Sequence, residues 1–244
     1  MKEMFHGLTT IWVDLDDTLI DFTTNAHTSL VKMWHDEPIL QQYFQSPEIW
    51  AERYEIHNMA LWAKYNVGDI SRDYLRLQRF MLPLTEARMP DDEAEKVARR
   101  YDTLYLDYLA REKALMPGAI DLLRTIRDRG LRIGCLSNGF KEVQFRKIRT
   151  AGLEPWIDLV VLSDDIGVNK PDRRIFEYAM ERSGDTDPTH HLMIGDNPDT
   201  DIRGALGAGW HAVWYHPDRA FHGISCPAGA IEISDLAECK SVLK

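Results

Sequence analysis

A chain of 244 residues that is 44% hydrophobic and 28% charged is large enough for one sizeable core and an appendage. Its formal net charge of −10 is not offset by any Lys/Arg-rich run, which argues against a nucleic-acid partner but leaves a small phosphorylated substrate open. No apolar run approaches the ~18–20 residues that cross a bilayer, so no membrane partner is expected either.

From the N-terminus, the apolar run Ile11-Trp12-Val13 reads as a buried strand that stops abruptly at Asp14-Leu15-Asp16-Asp17-Thr18. Two carboxylates two residues apart at a strand end repel each other, so a cation or a reaction that uses both would explain them. The plain alternative is a helix N-terminus, where Asp and Thr are common caps. Residues 21–111 carry helical periodicity and no strand signal. Ser46-Pro47-Glu48 starts a helix, and Trp50, Tyr54, His57, Leu61, Trp62 and Tyr65 follow at roughly helical spacing. Residues 71–81 and 91–110 continue the pattern.

Beyond residue 112, strand-like and helical stretches alternate. A helix over 119–128 ends at Gly130, and strands follow at 131–136, 159–162, 192–194 and 212–215, with an edge strand at 231–233. Helices are expected over 140–151, over 172–183 with Pro171 at the first helical position, and over 200–208 closed by Gly209. This alternation predicts an α/β fold: a parallel sheet with helices on both faces. The expected core comprises residues 1–20 and 112–244, with a helical domain, 21–111, inserted after the first strand.

Three more polar clusters follow strand-like runs: Ser137-Asn138-Gly139, Lys170-Pro171, and Gly195-Asp196-Asn197 continuing to Asp201. Each alone is an ordinary turn. In a parallel sheet all four clusters reach the same edge, where such folds bind ligands.

These motifs, Asp14-x-Asp16-x-Thr18, Leu136-Ser137-Asn138, Asn169-Lys170-Pro171-Asp172 and Gly195-Asp196-Asn197-x-x-x-Asp201, resemble the four motifs of the haloacid dehalogenase superfamily, in order. The helical insert resembles that family's type 1 cap. The resemblance implies a Rossmann-like sheet with the Asp14 strand between those of the second and fourth motifs. It also implies an Mg2+-dependent phosphomonoester hydrolase. Asp14 would be the nucleophile that becomes an aspartyl-phosphate, and Asp16 the acid and then the base. Mg2+ would be held by the Asp14 carboxylate, the Asp16 carbonyl and Asp196. Ser137 and neighbouring amides, Asn138 included, would bind the phosphoryl oxygens, with Lys170 balancing charge. Thr18 would orient Asp16, and Asp201 a metal-bound water.

Other readings are weaker. A mutase or other phosphotransferase shares the motifs. A dehalogenase needs no metal and, in the family, lacks the second acid of the first motif, whereas Asp16 and Asp196 are both present here. A receiver domain is about half this length and carries no Asp-x-Asp-x-Thr. No H-E-x-x-H arrangement supports a zinc hydrolase.

The segments 61–65, 68–71, 137–140 and 168–172 resemble the branch containing pyrimidine 5′-nucleotidases, and parts of them are shared by sugar-phosphate and phosphoglycolate phosphatases. Nucleoside 5′-monophosphates are thus the expected substrates, with the cap choosing the leaving group. Trp50, Trp62 and Tyr65 either stack on a base or pack the cap's own core. Cys135, Cys226 and Cys239 are odd in number and fit no zinc spacing, and Met1-Lys2-Glu3-Met4-Phe5-His6 lacks a signal peptide's apolar stretch. Reduced thiols in a cytoplasm are expected. Nothing sets an oligomeric state, and a monomer is compatible with the sequence.

Overall fold

The computed structural model describes residues 5–217 and 225–243. The chain divides into two compact units, Met1–Phe22 with Ala114–Lys244, and Thr23–Lys113.

The first unit is built on a six-stranded sheet: β1 (Thr10–Val13), β2 (Arg132–Ser137), β3 (Leu159–Leu162), β4 (His191–Gly195), β5 (His211–Tyr215) and β6 (Ile231–Ile233). The strand order is β3-β2-β1-β4-β5-β6, and every pair is parallel. β1 therefore lies between the strands that lead to the second and fourth motifs.

All four residues of β1 are buried because both faces of the sheet are covered, which is why the strand reads as an unbroken apolar run rather than an alternation. Successive side chains still go to opposite faces. Ile11 and Val13 join Ile133, Ile194 and Val213 in one core, which Leu122 and Leu123 of α6 (Ala119–Asp128) cover. Trp12 joins Leu136, Met193 and Trp214 in the other, against Ile175 and Phe176 of α9 (Arg173–Ser183).

Between these lie α7 (Lys141–Thr150), directly after the β2 turn, and the short α8 (Ser163–Ile166), directly after β3. Two expected helix boundaries are corrected. Pro171 is not the first helical residue, because Asp172 caps α9 by accepting from the Arg174 amide at 2.9 Å. The helix expected over 200–208 begins earlier, as a π-helical turn over Pro198–Arg203 that passes into α10 (Gly204–Gly207). Asn197 starts it by accepting from the Asp199 and Thr200 amides, both at 3.0 Å. The widened turn buries both Asp201 and Ile202.

The second unit is helical: the rest of α1 (Phe22–Asp36), then α2 (Pro38–Tyr43), α3 (Pro47–Asn66), α4 (Arg72–Glu86) and α5 (Asp91–Leu109). Ser46 and Ser71 cap α3 and α4 by accepting from the amides three residues on. Its interior is aromatic. Trp50, Tyr54, Phe80, Tyr101 and Tyr105 pack with centroids 4.8–6.4 Å apart. Trp50 is fully buried there, so the expectation that it could stack on a base is withdrawn. Trp62 and Tyr65 are partly exposed and meet edge to face at 5.4 Å. No helix among the described residues is long and apolar enough to cross a membrane.

Candidate active site

The four motifs converge because four parallel strands, β1 to β4, end on one edge of the sheet. Asp14 follows β1 and stays in register, its amide donating to Ile194 O at 2.9 Å. The chain then turns sharply. Asp17 takes a left-handed conformation, φ 56°, which short polar side chains tolerate, and its amide bonds Ile20 O at 2.7 Å. This turn places Asp14 and Asp16 at one edge.

Lys170 is the centre of the cluster. Its ammonium lies 2.5 Å from Asp14 Oδ1, 2.7 Å from Asp201 Oδ1 and 2.7 Å from the Leu136 carbonyl oxygen, and it is 2% exposed. Burial alone opposes an ammonium there, but the two carboxylates outweigh it and raise its pKa, so it stays charged. Asn138 holds the Lys170 backbone: its Nδ2 donates to Lys170 O at 2.9 Å, and its Oδ1 accepts from Lys170 N at 2.7 Å. The phosphate role expected of Asn138 belongs to its backbone amide, whereas this clamp uses its side chain.

Asp14, Asp196 and Asp201 each offer an oxygen within 4.8 Å of the others. Burial lifts the Asp14 carboxyl to about 7, against the pull of Lys170 and with help from Asp201 and Asp16. Desolvation, then the charges of Asp201 and Asp14, push Asp196 well above the usual carboxylate range. Gly195 makes room for Asp201, since a Cβ there would fall 2.3 Å from its Oδ2. Thr18 donates to Asp196 Oδ1 at 3.3 Å, which corrects the expectation that it orients Asp16.

Asp16 has different partners. Its carboxylate accepts from Lys147 Nζ at 2.6 and 2.8 Å and from Gln144 Nε2 at 2.8 Å. Ser137 Oγ accepts from the same Gln144 nitrogen at 2.7 Å and from the Gly139 amide at 3.2 Å, which leaves its hydroxyl hydrogen to donate elsewhere. Sequence reading passed over Lys147 and Gln144. The signal available was their spacing of three on the helix that leaves the second motif, which puts both on one face.

A model of haloacid dehalogenase-like hydrolases matches residues 8–209. The chain belongs to that family. This hydrolase is 31% identical over 207 residues to the pyrimidine 5′-nucleotidase YjjG of Escherichia coli, covering 84% of each chain. It is 29% identical over 206 residues to the pyrimidine 5′-nucleotidase PynA of Streptococcus pneumoniae, covering 84% of this chain and 82% of that one. Among solved structures, the magnesium-bound HAD-hydrolase YfnB of Bacillus subtilis superposes with a TM-score of 0.83 at 28% identity, over 97% of this chain and 98% of that one.

Proposed function

We propose that this hydrolase is an Mg2+-dependent phosphomonoesterase that works through an aspartyl-phosphate on Asp14, with nucleoside 5′-monophosphates as substrates. The observation that carries the reading is that the two carboxylates have separate partners: Asp14 sits on Lys170 beside Asp196 and Asp201, while Asp16 accepts from Lys147 and Gln144. The nucleotidase names of two relatives support the substrate class.

The donor set suits a hard divalent cation. Three carboxylates share the charge of Lys170, the cluster is net negative, and burial already strains Asp14 and Asp196 toward protonation. Asp14, Asp196 and the Asp16 carbonyl would hold Mg2+, and Asp201 would hold a water of its shell. When bound, Mg2+ supplies charge neutralisation between the Asp14 carboxylate and the dianionic phosphoryl group.

The remaining chemistry belongs to the chain. An Asp14 oxygen forms a bond to phosphorus as the ester P–O bond breaks, and Asp16 gives its proton to the leaving alkoxide. Water then attacks the same phosphorus, Asp16 takes its proton, and Asp14 is released with phosphate, ready for another cycle. The Ser137 hydroxyl hydrogen and the amides after β2 donate to the phosphoryl oxygens, and Lys170 keeps Asp14 from driving them off.

A phosphate-release screen with Mg2+ over nucleoside monophosphates, sugar phosphates and phosphoglycolate tests the proposal. Nucleotides should lead. Trp62→Ala should then lower kcat/KM for the best nucleotide ~5- to 100-fold, as expected for one lost base stack, and barely change a small ester without a base. A screen led by sugar phosphates would remove the nucleotidase reading. An equal loss on both esters would make Trp62 part of the helical unit's packing.

A further inference from the structure

α7 turns two polar residues inward beside Val143 and Ile148. Gln144 is 1% and Lys147 6% exposed, whereas Phe145 between them is 42% exposed. Burying an ammonium and an amide while leaving a phenyl ring in water is the reverse of what packing alone selects, so the inward pair needs a reason. A stabilising role explains it poorly, because a buried ion pair is often no better than well-packed apolar side chains.

The contacts give the reason. Both oxygens of Asp16 are taken by the pair, with Lys147 Nζ at 2.6 and 2.8 Å and Gln144 Nε2 at 2.8 Å. Lys147 is itself fixed, its ammonium 4.6 Å from the centroid of the Phe22 ring. Gln144 also reaches Ser137 at 2.7 Å, so one amide nitrogen ties the acid/base carboxylate to the hydroxyl on the phosphoryl side. Gly139 is the residue that admits this amide: a Cβ there would fall 2.2 Å from Gln144 Cδ and Nε2. The glycine of Ser137-Asn138-Gly139 thus has a steric purpose beyond its turn.

We propose that Lys147 and Gln144 are positioning residues that aim the Asp16 carboxylate, and that they serve chiefly the half-reaction in which Asp16 takes a proton from water. With both oxygens held by these donors, the carboxylate is fixed in one orientation, which taking a proton from a positioned water requires. Neither residue touches the phosphoryl group in this assignment. Both act through Asp16. The proposal rests on the phosphatase reading above and adds to it the pair that orients the base.

The test follows p-nitrophenyl phosphate turnover by stopped flow in wild type, K147M, K147R, Q144L, G139A, D16N and the double variant K147M/D16N. Nitrophenolate leaves without a proton, so phosphoryl transfer to Asp14 should survive in K147M as a burst of about one nitrophenolate per site. Steady-state turnover, limited by water attack, should fall ~10²-fold with little change in KM. Q144L and G139A should show the same pattern at about 10-fold, and K147R should recover most of the loss.

In the D16N background, K147M should cost no more than ~3-fold, because its effect runs through a carboxylate that is already gone. Full additivity in that cycle, an equal loss of burst and steady state, or wild-type kinetics in K147M would each overturn the assignment. Should K147M fail to fold, Q144L and G139A carry the same comparison. A wild-type enzyme that releases phosphate from no ester would remove the phosphatase reading itself, a different result from any of these.

Discussion

The two ends of one sheet hold carboxylates in opposite condition. At the amino ends of β1 and β4, Asp185 accepts from the Thr9 hydroxyl at 2.8 Å, from the Asp187 amide at 3.1 Å and pairs with His190 at 2.9 Å. These donors hold its carboxyl down at about 2. Behind it, the Trp12 indole donates to His191 Nδ1 at 3.1 Å, so His191 Nε2 donates to the Asp185 carbonyl at 2.9 Å. At the carboxyl ends, Asp14 is lifted to about 7 and Asp196 well above the usual range, although Lys170 is buried among them. Donors at the first end favour the charged carboxylate, whereas at the second burial and neighbouring carboxylates disfavour it, a cost that stability alone does not explain. The second end is the end where the four motifs meet.

The comparison breaks most readily at Asp14. Asp14→Asn should lower phosphate release by more than ~10³-fold, the scale of losing a nucleophile, with the fold retained. Circular dichroism and a phosphate assay check this, and more than a few per cent of wild-type turnover would refute the role. Next is the charge excess. Mg2+ should raise the melting temperature of the wild type and leave that of Asp196→Asn unmoved, and in chelator the variant should melt no lower than wild type.

The donor-rich end should behave in the opposite sense. Asp185→Ala should cost about 1–3 kcal/mol of stability, since it strips the partner from Thr9 and His190, and leave kcat unchanged. Its pH signature follows from the sign of the shift. A carboxyl held at about 2 against an ordinary 3.8 adds stability that is complete above about pH 4 and drains away as the pH falls toward 2. Chemical denaturation of wild type and Asp185→Asn over that range should show the slope in the first and its loss in the second. Equal slopes would mean that the network contributes nothing.

What was legible in the sequence is what local chemistry dictates. The apolar runs bounded by turns became strands because the central ones are buried on both faces, and Ser46 and Ser71 start helices because their hydroxyls cap amides within reach. Convergence of the four motifs followed from the parallel order of β1 to β4. The parts that stayed hidden are set by tertiary partners. Lys147 reads as one more cation in a basic helix, and only the phase at which α7 packs turns it inward while Phe145 faces water. The family resemblance assigned Thr18 to Asp16 and said nothing of the Asn138 side chain, yet the Thr18 hydroxyl serves Asp196 and the Asn138 side chain the Lys170 backbone. Trp50 resembled its partly exposed neighbour Trp62 in the sequence until the aromatic interior of the helical unit separated them.

The central claim is that Asp14 carries the phosphoryl group. The direct measurement mixes Asp16→Asn with p-nitrophenyl phosphate and Mg2+, quenches in acid and maps the adduct by peptide mass spectrometry. Transfer proceeds without a proton to the leaving group while hydrolysis lacks its base, so one phosphoryl group should accumulate on the peptide that contains Asp14, and none should form in the Asp14→Asn, Asp16→Asn double variant. A phosphoryl group on another residue, or none on an enzyme whose wild type releases phosphate, would contradict the account.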